Sequence, residues 1–355
     1  MATLLNRLLP GNSLPPGIAL ESDEAVLEAC RASLRPTRSL ALIPEPLRDD
    51  IALVCGVCRL VDEIGSAPGG PSSPGSELAR LEAELLGEVP GRPLVRLAMA
   101  RLPRLGIDPG LFRFLIAGVR RELDPVPVRD DDELLCYVYC VAGVVGVVLS
   151  AALGLRGRAL LYAVDLGIGL QLTNIARKCL IEAARGRCYV PVRRLTPHDL
   201  TPQRLIHDRE NPEVRQRLRP ALEGLLRLGD HYYRSAEAGA AAIPLRYRYG
   251  LLLLGRTYRR EGWRSVQGTG PGGERVRLPI WERALLLSQV TGLSLTPRVA
   301  GLLPPLPHDW RLHTAFAGNP GTDPVAAAPE TSATPSMASR LLWRRRGTGP
   351  VRRTW

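Results

Sequence analysis

The sequence predicts an all-α protein. Aromatic residues make up only 5% of the 355 residues, while leucine, alanine, valine and arginine are abundant. The alternation of apolar and polar residues that marks a half-buried strand is hard to find. Apolar residues at helical spacing recur along the chain instead. A chain of this length can bury one large core or two modest ones, so we expect extensive packing between helices.

The first third of the chain carries several short amphipathic patterns. One apolar face is marked by Leu47, Ile51, Val54 and Leu60. A loop rich in glycine, proline and serine, residues 65–75, follows this pattern and ends it. The helices predicted on the two sides of this loop cover residues 21–35, 46–64, 76–87, 93–101 and 108–122.

A long uncharged segment, residues 134–155, lies within a predicted helix over 131–153. Its 22 residues are enough to cross a bilayer. It also contains tyrosines, cysteines, glycines and a serine, and a helix that is apolar on all sides is equally typical of a protein core. We expect a buried central helix, with a membrane span as the alternative. Peripheral contact with a membrane stays open.

The remaining pattern predicts further helices and then a change of composition. The helices cover residues 156–184, 201–207, 212–236, 245–261 and 279–293. From residue 304 the chain is rich in proline, alanine, glycine, serine and threonine, which is typical of disorder. We therefore expect an N-terminal extension over 1–22, one helical domain over 23–303 and a disordered tail over 304–355.

Charge and cysteine content limit the classes of function. The formal net charge is +12, but residues 340–355 contain six arginines and no acid. The rest of the excess suits a protein that binds small anions, and no nucleic-acid-binding module is visible. The chain has seven cysteines, an odd number. The Cys55-x-x-Cys58 pair lacks the second pair of a zinc site. Reduced thiols and a cytoplasmic location are expected.

Two polar stripes run along otherwise apolar helices. The first consists of Cys55, Arg59, Asp62 and Ser66. The second consists of Gln171, Asn174, Lys178 and Glu182. Spacings of three and four place each set on one helix face, and polar side chains in a core need partners. The stripes could line a cavity for a charged ligand. A purely structural network of buried charges would show the same spacing, so both interpretations stay open here.

Three segments resemble the squalene/phytoene synthase family, and its bacterial phytoene synthases in particular. They are residues 58–64 (CRLVDEI), residues 137–146 (YVYCVAGVVG) and residues 165–191, with DLGIGLQLTNIAR at the start and EAARGRCYVP at the end. The resemblance covers roughly residues 30–310. It implies an isoprenoid-synthase-type helical bundle around a central cavity. It also implies head-to-head condensation of two geranylgeranyl diphosphates to phytoene, with Mg²⁺ or Mn²⁺ bound. Squalene synthesis is the alternative within the family.

The resemblance also implies roles for individual residues. Contact with the substrate diphosphate is implied for Arg38, Arg59, Arg177 and Arg187. Apart from the resemblance, the Lys178 ammonium could contact the diphosphate directly as a point charge. Catalytic roles are implied for Tyr137 and Asp62. Metal binding is implied for Asp62, Glu63 and Glu182. Positions lining the cavity are Gln171, Asn174, Val141 and Gly143. These residue types suit the reaction, because arginine pairs with phosphate oxygens through two parallel hydrogen bonds and carboxylates bind Mg²⁺.

Three positions depart from the acidic pattern of the family. Ser66, Lys178 and Ile181 stand where the family has acids, and Lys178 is the single lysine of the chain. An ammonium ~4 Å from a cation costs on the order of 4 kcal/mol per unit charge at an effective dielectric of ~20. Three hypotheses follow. The protein is an active prenyltransferase with fewer metal ions, an impaired relative that binds prenyl diphosphate or acts as a scaffold, or an ordinary enzyme with an isolated substitution. The oligomeric state is not predicted.

Overall fold

The computed structural model describes most of the chain as helices. The described residues are 22–33, 45–67, 73–268, 278–296 and 307–322. Within them the regular elements are helices alone, which confirms the all-α prediction. The predicted diphosphate contact Arg38 lies outside the described residues, as do residues 323–355 of the predicted tail.

The helices follow the apolar periodicity closely. They are α1 (Asp23–Ser33), α2 (Glu45–Ser66), α3 (Pro74–Leu85), α4 (Pro93–Arg101), α5 (Phe112–Leu123), α6 (Asp131–Ala152), α7 (Arg158–Ala183), α8 (Val192–Leu195), α9 (Pro202–His207), α10 (Pro212–Ala238), α11 (Leu245–Gln267) and α12 (Ile280–Ser294). Most bounds lie within two residues of the predicted ones, and the short helix α8 is additional to them. Two differences are larger. Residues 109–111 form a separate 3₁₀ turn, and α11 continues past 261 to Gln267.

Helix α7 lies at the centre of the bundle and packs against α6, α10 and α11. Two glycines set its distance from α6. A Cβ at Gly146 would lie 2.5 Å from the carbonyl oxygen of Ala163, and one at Gly167 would lie 2.5 Å from that of Ala142. The two backbones therefore touch, and only glycine fits at these positions. This close crossing fixes the orientation of the polar stripe on α7.

Helices α6 and α7 are both long and apolar enough to cross a membrane by length and composition. However, 83% of the most apolar window of each is buried inside the protein. Other helices of the same chain surround α6 and α7. The expectation that residues 134–155 form a buried core helix is confirmed.

Residues 307–322, here called the strap, fold against the bundle. The Tyr139 hydroxyl donates to the Pro320 carbonyl over 2.7 Å, and the Tyr232 hydroxyl donates to the Leu312 carbonyl over 2.7 Å. The Phe316 ring stacks on Tyr139 with centroids 5.2 Å apart. The prediction of disorder from residue 304 is therefore wrong for 307–322. Composition does not predict order in this segment, because a few side chains anchor it to the bundle by specific hydrogen bonds.

A buried carboxylate on α7 holds the strap from inside. Asp165 is fully buried, and its oxygens lie 2.8 Å from Nε2 of His308 and 2.8 Å from Nε2 of His313. The Ser235 hydroxyl donates to Asp165 over 2.6 Å. Burial alone would raise the pKa of Asp165, but its hydrogen bonds with the two histidines hold it below its usual value. The grouping is also typical of a metal site, although hydrogen bonds already satisfy both oxygens.

Candidate active site

The first polar stripe runs from the interior of the bundle to its surface. Arg59 and Asp62 are buried, Glu63 is half-buried and Ser66 is exposed. Burial lowers the pKa of the Arg59 guanidinium, while Cys55, Glu63 and Asp62 oppose that shift. The acids nearest the core are therefore the ones retained, and the position that carries serine faces solvent.

The second stripe, on α7, is buried along most of its length. Gln171, Asn174 and Glu182 are each 2% exposed or less, and Lys178 is half-buried. The Asn174 side-chain nitrogen donates to Gln171 over 3.4 Å. Within the described residues, Asn174 Oδ1 and both carboxylate oxygens of Glu182 accept no hydrogen bond. Glu182 has one ion-pair contact, at 3.6 Å, with Arg185. Buried oxygens left in this state are costly unless a ligand or cation satisfies them.

Arg177 lies beside this stripe and has N–H groups that donate to no described residue. Its side chain is 1% exposed, and Nη1 donates to Glu261 Oε2 over 3.0 Å. The guanidinium carbon lies 5.8 Å from the centre of the Tyr258 ring. Nε and Nη2 have no hydrogen-bond partner among the residues that the structure describes. Arg177 is thus held at one end by α11 and can donate to an anion with the other.

Tyr137 and Arg187 meet at a further acid, Glu122 on α5. The Tyr137 hydroxyl donates to Glu122 Oε1 over 2.7 Å, and Arg187 Nη1 lies 3.6 Å from Glu122 Oε2. The rings of Tyr137 and Tyr189 stack with centroids 5.2 Å apart. Burial, reinforced by the Glu122 charge, raises the pKa of Tyr137 well above its usual value. The hydroxyl therefore stays protonated at neutral pH.

Sequence reasoning missed Glu122, Tyr189 and Glu261. Tyr189 lies inside the recognised segment 165–191, so its position was available as a signal. Glu122 follows two arginines and looks like part of a solvated helix face, yet it is 5% exposed. Glu261 is 84 residues from Arg177 along the chain. No local spacing could reveal such a partner.

Helix α5 supports both the end of the first stripe and the residues around Glu122. The end of α2 packs on it, because a Cβ at Gly65 would collide with Val119. Glu122 lies one turn further along α5 and holds Tyr137 and Arg187. The acidic end of α2 and the residues around Glu122 are therefore supported by the same short helix.

Val141 and Gly143 lie in a π-helical turn, Tyr139–Gly143, within α6. Val141 contacts Gly118 of α5, and the Cα of Gly143 lies 3.5 Å from where a Cβ at Gly167 would be. Both positions thus take part in helix packing. Their place in the lining of a substrate cavity stays a prediction, as does the central cavity itself. A π turn in a long helix often accompanies a functional site.

Comparison with known proteins now decides the family. A sequence model described as squalene/phytoene synthase matches residues 37–268. The chain belongs to the squalene/phytoene synthase family. A 15-cis-phytoene synthase of Enterobacter agglomerans is 34% identical over 198 residues, which are 55% of this chain and 66% of the relative. One from a Paracoccus strain is 31% identical over 272 residues, 74% of this chain and 86% of the relative. This squalene/phytoene synthase family member is accordingly a phytoene-synthase-like prenyltransferase.

Solved structures agree on the fold. A dehydrosqualene synthase superimposes with a TM-score of 0.64 at 20% identity, covering 77% of this chain and 98% of that one. The squalene synthase HpnC of Alicyclobacillus acidocaldarius gives a TM-score of 0.58 at 20% identity, covering 72% and 96%. At this identity the likeness shows a common helical fold.

The family implies Mg²⁺, and the donor set can be tested against it. Mg²⁺ takes oxygen ligands, which Asp62, Glu63 and Glu182 supply. The two buried Glu182 oxygens, which accept no hydrogen bond from any described residue, suit a cation especially well. Lys178, one turn before Glu182, adds positive charge nearby. The oxygen donors of Asp62, Glu63 and Glu182 are of the type that Mg²⁺ takes.

Proposed function

We propose that this protein condenses two molecules of geranylgeranyl diphosphate head to head, forming phytoene and releasing diphosphate. The observation that carries the proposal is the set of unsatisfied buried atoms on α7. Arg177 has donors without acceptors, and Glu182 has acceptors without donors, among the described residues. A diphosphate and a cation together would satisfy both. Similarity to proteins named 15-cis-phytoene synthase supports this substrate class.

The arginines would act on the leaving diphosphate. Breaking an allylic C–O bond leaves negative charge on the diphosphate, and fixed donors stabilise that charge most where water is excluded. Arg177 is oriented by Glu261, and Arg187 by Glu122. These ion pairs restrict the guanidinium groups before substrate arrives, so less ordering is needed during the reaction.

Asp62, Glu63 and Glu182 would hold Mg²⁺ or Mn²⁺. When bound, the ion supplies charge neutralisation to the departing diphosphate. Lys178 would bind the diphosphate directly as a point charge. Its charge would replace part of that of the metal ions which the missing carboxylates would have bound. This assignment gives the single lysine of the chain a function consistent with its half-buried position.

Breaking the allylic C–O bond also leaves a carbocation on the prenyl chain, which must lose a proton to give the alkene product. Tyr137 would assist the removal of that proton, with Glu122 as its positioning residue. We expect Tyr137→Phe to lower kcat by about 100-fold or more, because positioned proton transfer contributes that much. Stability should fall by only about 1 kcal/mol for one lost hydrogen bond. The measurement is steady-state turnover combined with urea unfolding.

Tyr139→Phe is the matched control for this change. Tyr139 is equally buried, and its hydroxyl also donates one hydrogen bond over 2.7 Å, to the strap. It should lose similar stability and keep its turnover. An equal loss of turnover in both variants would show that Tyr137 has no specific part in the reaction.

The proposed activity is tested by incubating the purified full-length protein with geranylgeranyl diphosphate and Mg²⁺ or Mn²⁺. Products are extracted and identified by mass spectrometry, and released diphosphate is measured in parallel. Phytoene with diphosphate release supports the proposal. A folded protein that forms neither contradicts it, and squalene from farnesyl diphosphate would assign the alternative within the family.

Binding of prenyl diphosphate without turnover is the second candidate. The presence of Ser66, Lys178 and Ile181 where the family has acids favours it, because acids at these positions would add ligands for a metal ion. We expect the triple variant Ser66→Asp, Lys178→Asp, Ile181→Glu to raise Mg²⁺-dependent turnover by about tenfold or more, since it removes the repulsion between the Lys178 ammonium and a cation and adds three carboxylates. Kinetics at varied Mg²⁺ concentration would measure this.

Arg158→Asp provides the control for charge. It makes the same change of charge as Lys178→Asp, but in the exposed first turn of α7. It should leave the Mg²⁺ dependence unchanged. A triple variant that binds no more Mg²⁺ than the parent would show that these positions do not form a metal site.

We also propose a cytoplasmic location with peripheral membrane association. All seven cysteines are free thiols, as expected in a reducing compartment. Phytoene itself is a hydrocarbon that partitions into lipid, so a synthase benefits from a nearby bilayer.

A further inference from the structure

The strap carries two buried histidines that meet one carboxylate. The chain contains five histidines, and His308 and His313 of the strap have side chains only 1% and 2% exposed. The other three are half-buried or exposed. The Nε2 atoms of both rings face the fully buried Asp165 on α7. Polar groups so deep in a core need partners that account for all of their nitrogen and oxygen atoms.

The second nitrogen of each ring bears on which tautomer the surroundings favour. His313 Nδ1 lies 3.5 Å from the carbonyl oxygen of Thr322, and a carbonyl oxygen can only accept. The proton of a neutral His313 ring therefore belongs on Nδ1. Nε2 then presents a lone pair to Asp165 Oδ1 over 2.8 Å. Two electron pairs at that distance repel each other unless a cation lies between them.

That cation is either an extra proton on His313 or a metal ion. The hydrogen bonds described above correspond to the extra proton, whereas a metal ion would use the same lone pairs. Asp165 and the two Nε2 atoms each offer one ligand atom, and these atoms lie within 4.8 Å of one another. An ion with bonds of about 2.0–2.1 Å holds neighbouring ligands about 2.8–2.9 Å apart at a right angle. Both carboxylate–imidazole pairs are 2.8 Å apart.

The groups around these three side chains match those that support metal sites. A ligating histidine usually donates its other N–H to a carbonyl or carboxylate, and a ligating carboxylate is itself hydrogen-bonded. Thr322 provides such a carbonyl for His313, and the Ser235 hydroxyl donates to Asp165 over 2.6 Å. Three aromatic rings flank the imidazoles, with centroids 5.1–5.6 Å away, and belong to Tyr162, Trp310 and Phe316.

We propose that Asp165, His308 and His313 bind a divalent transition-metal ion, and that Zn²⁺ is the ion their donors suit. Imidazole is a ligand of Zn²⁺ and Co²⁺, whereas Mg²⁺ takes oxygen ligands. The site is therefore chemically distinct from the acids proposed above to hold Mg²⁺. Because all three side chains are buried, the ion is structural and holds the strap on α7.

The ion would join segments that are distant along the chain. His308 and His313 are 143 and 148 residues from Asp165. Metal binding that draws such segments together contributes its free energy to folding. The inference concerns the strap and does not depend on turnover, so it can fail independently of the proposed function.

The test is zinc binding by the full-length protein after treatment with EDTA and dialysis. One Zn²⁺ per chain should bind in calorimetry, and hydrogen exchange at residues 307–322 should fall when it does. His308→Gln with His313→Gln should weaken binding by about 100-fold or more, because two ligands are lost and even a supporting residue is worth 10–100-fold. Circular dichroism verifies that the variant keeps its fold.

The visible spectrum of the parent with Co²⁺ tests the ligands without any substitution. Nitrogen and oxygen ligands give weak visible bands alone. A sulfur-to-cobalt charge-transfer band would assign the ion to cysteines and overturn the proposal.

Two variants control for the strap and for the other proposed metal ligands. Tyr139→Phe removes a hydrogen bond to the strap but no ligand, and Glu182→Gln removes a proposed Mg²⁺ ligand. Both should bind zinc as the parent does. Absence of zinc binding, or equal binding by the double histidine variant and the parent, would overturn the proposal. Strap exchange that zinc leaves unchanged would show that a proton alone joins the imidazoles to Asp165, and would likewise overturn it.

Discussion

Glu182→Gln should make the protein more stable and inactive at the same time. Its carboxylate is buried, and no described residue donates a hydrogen bond to it. A buried charge in that state destabilises the fold, so an amide of the same shape should raise the free energy of unfolding by about 1 kcal/mol. Turnover should fall about 100-fold or more, because a metal ligand is lost. Thermal unfolding without Mg²⁺ and steady-state kinetics with it would measure the two effects.

Glu84→Gln makes the comparison sharp. Glu84 is equally buried on α3, but Arg92 donates three hydrogen bonds to it, at 2.8–3.1 Å. Its replacement should lower stability by about 2 kcal/mol and leave kcat unchanged. If Glu182→Gln destabilises the protein as Glu84→Gln does, Glu182 is a structural group and the metal assignment is wrong.

Asp165→Asn should release the strap. The carboxylate accepts hydrogen bonds from Ser235, His308 and His313, and an amide presents N–H where one of these donors points. Breaking such a buried network should cost about 3–5 kcal/mol in the free energy of unfolding. Hydrogen exchange at residues 307–322 should rise more than in the rest of the bundle.

The pH dependence of stability follows from the lowered pKa of Asp165. Because the folded-state pKa lies below the unfolded value, the stabilisation is present at pH values above the unfolded pKa. It is lost as the pH falls through the folded pKa. Denaturant midpoints of the parent should therefore drop in acid below the ordinary aspartate range, and the variant should lack that part of the drop.

Asp131→Asn serves as the control for this experiment. Asp131 makes two hydrogen bonds with Arg194, at 2.6 and 2.7 Å, but its side chain is 40% exposed. Its loss should cost about 1 kcal/mol or less. Unchanged exchange of the strap in Asp165→Asn would show that Asp165 does not hold it.

The long helices and the polar stripe on α7 could be predicted from the sequence alone. Apolar periodicity placed every long helix, because burial of one face determines where a helix forms. The spacing of Gln171, Asn174, Lys178 and Glu182 predicted a common face on α7. These are properties of neighbouring residues, and neighbouring residues are what a sequence shows directly.

The rest depends on partners that are distant along the chain. Glu261 reaches Arg177 from 84 residues away, and His313 reaches Asp165 from 148 residues away. Only the packing of α7 against α11 and the strap brings them together. The folded strap was missed for the same reason. Its composition resembles that of a disordered tail, but a few side chains that are distant along the chain anchor it to the bundle.

The most direct test of the account is equilibrium binding of an unreactive substrate analogue, geranylgeranyl S-thiolodiphosphate, by calorimetry with the full-length protein. We predict binding that Mg²⁺ strengthens and that Arg177→Lys weakens by about tenfold, because a lysine keeps the charge but loses the paired donors of arginine. Absence of binding, or equal binding by Arg177→Lys and by the parent, would contradict the assignment of the α7 stripe as the diphosphate site.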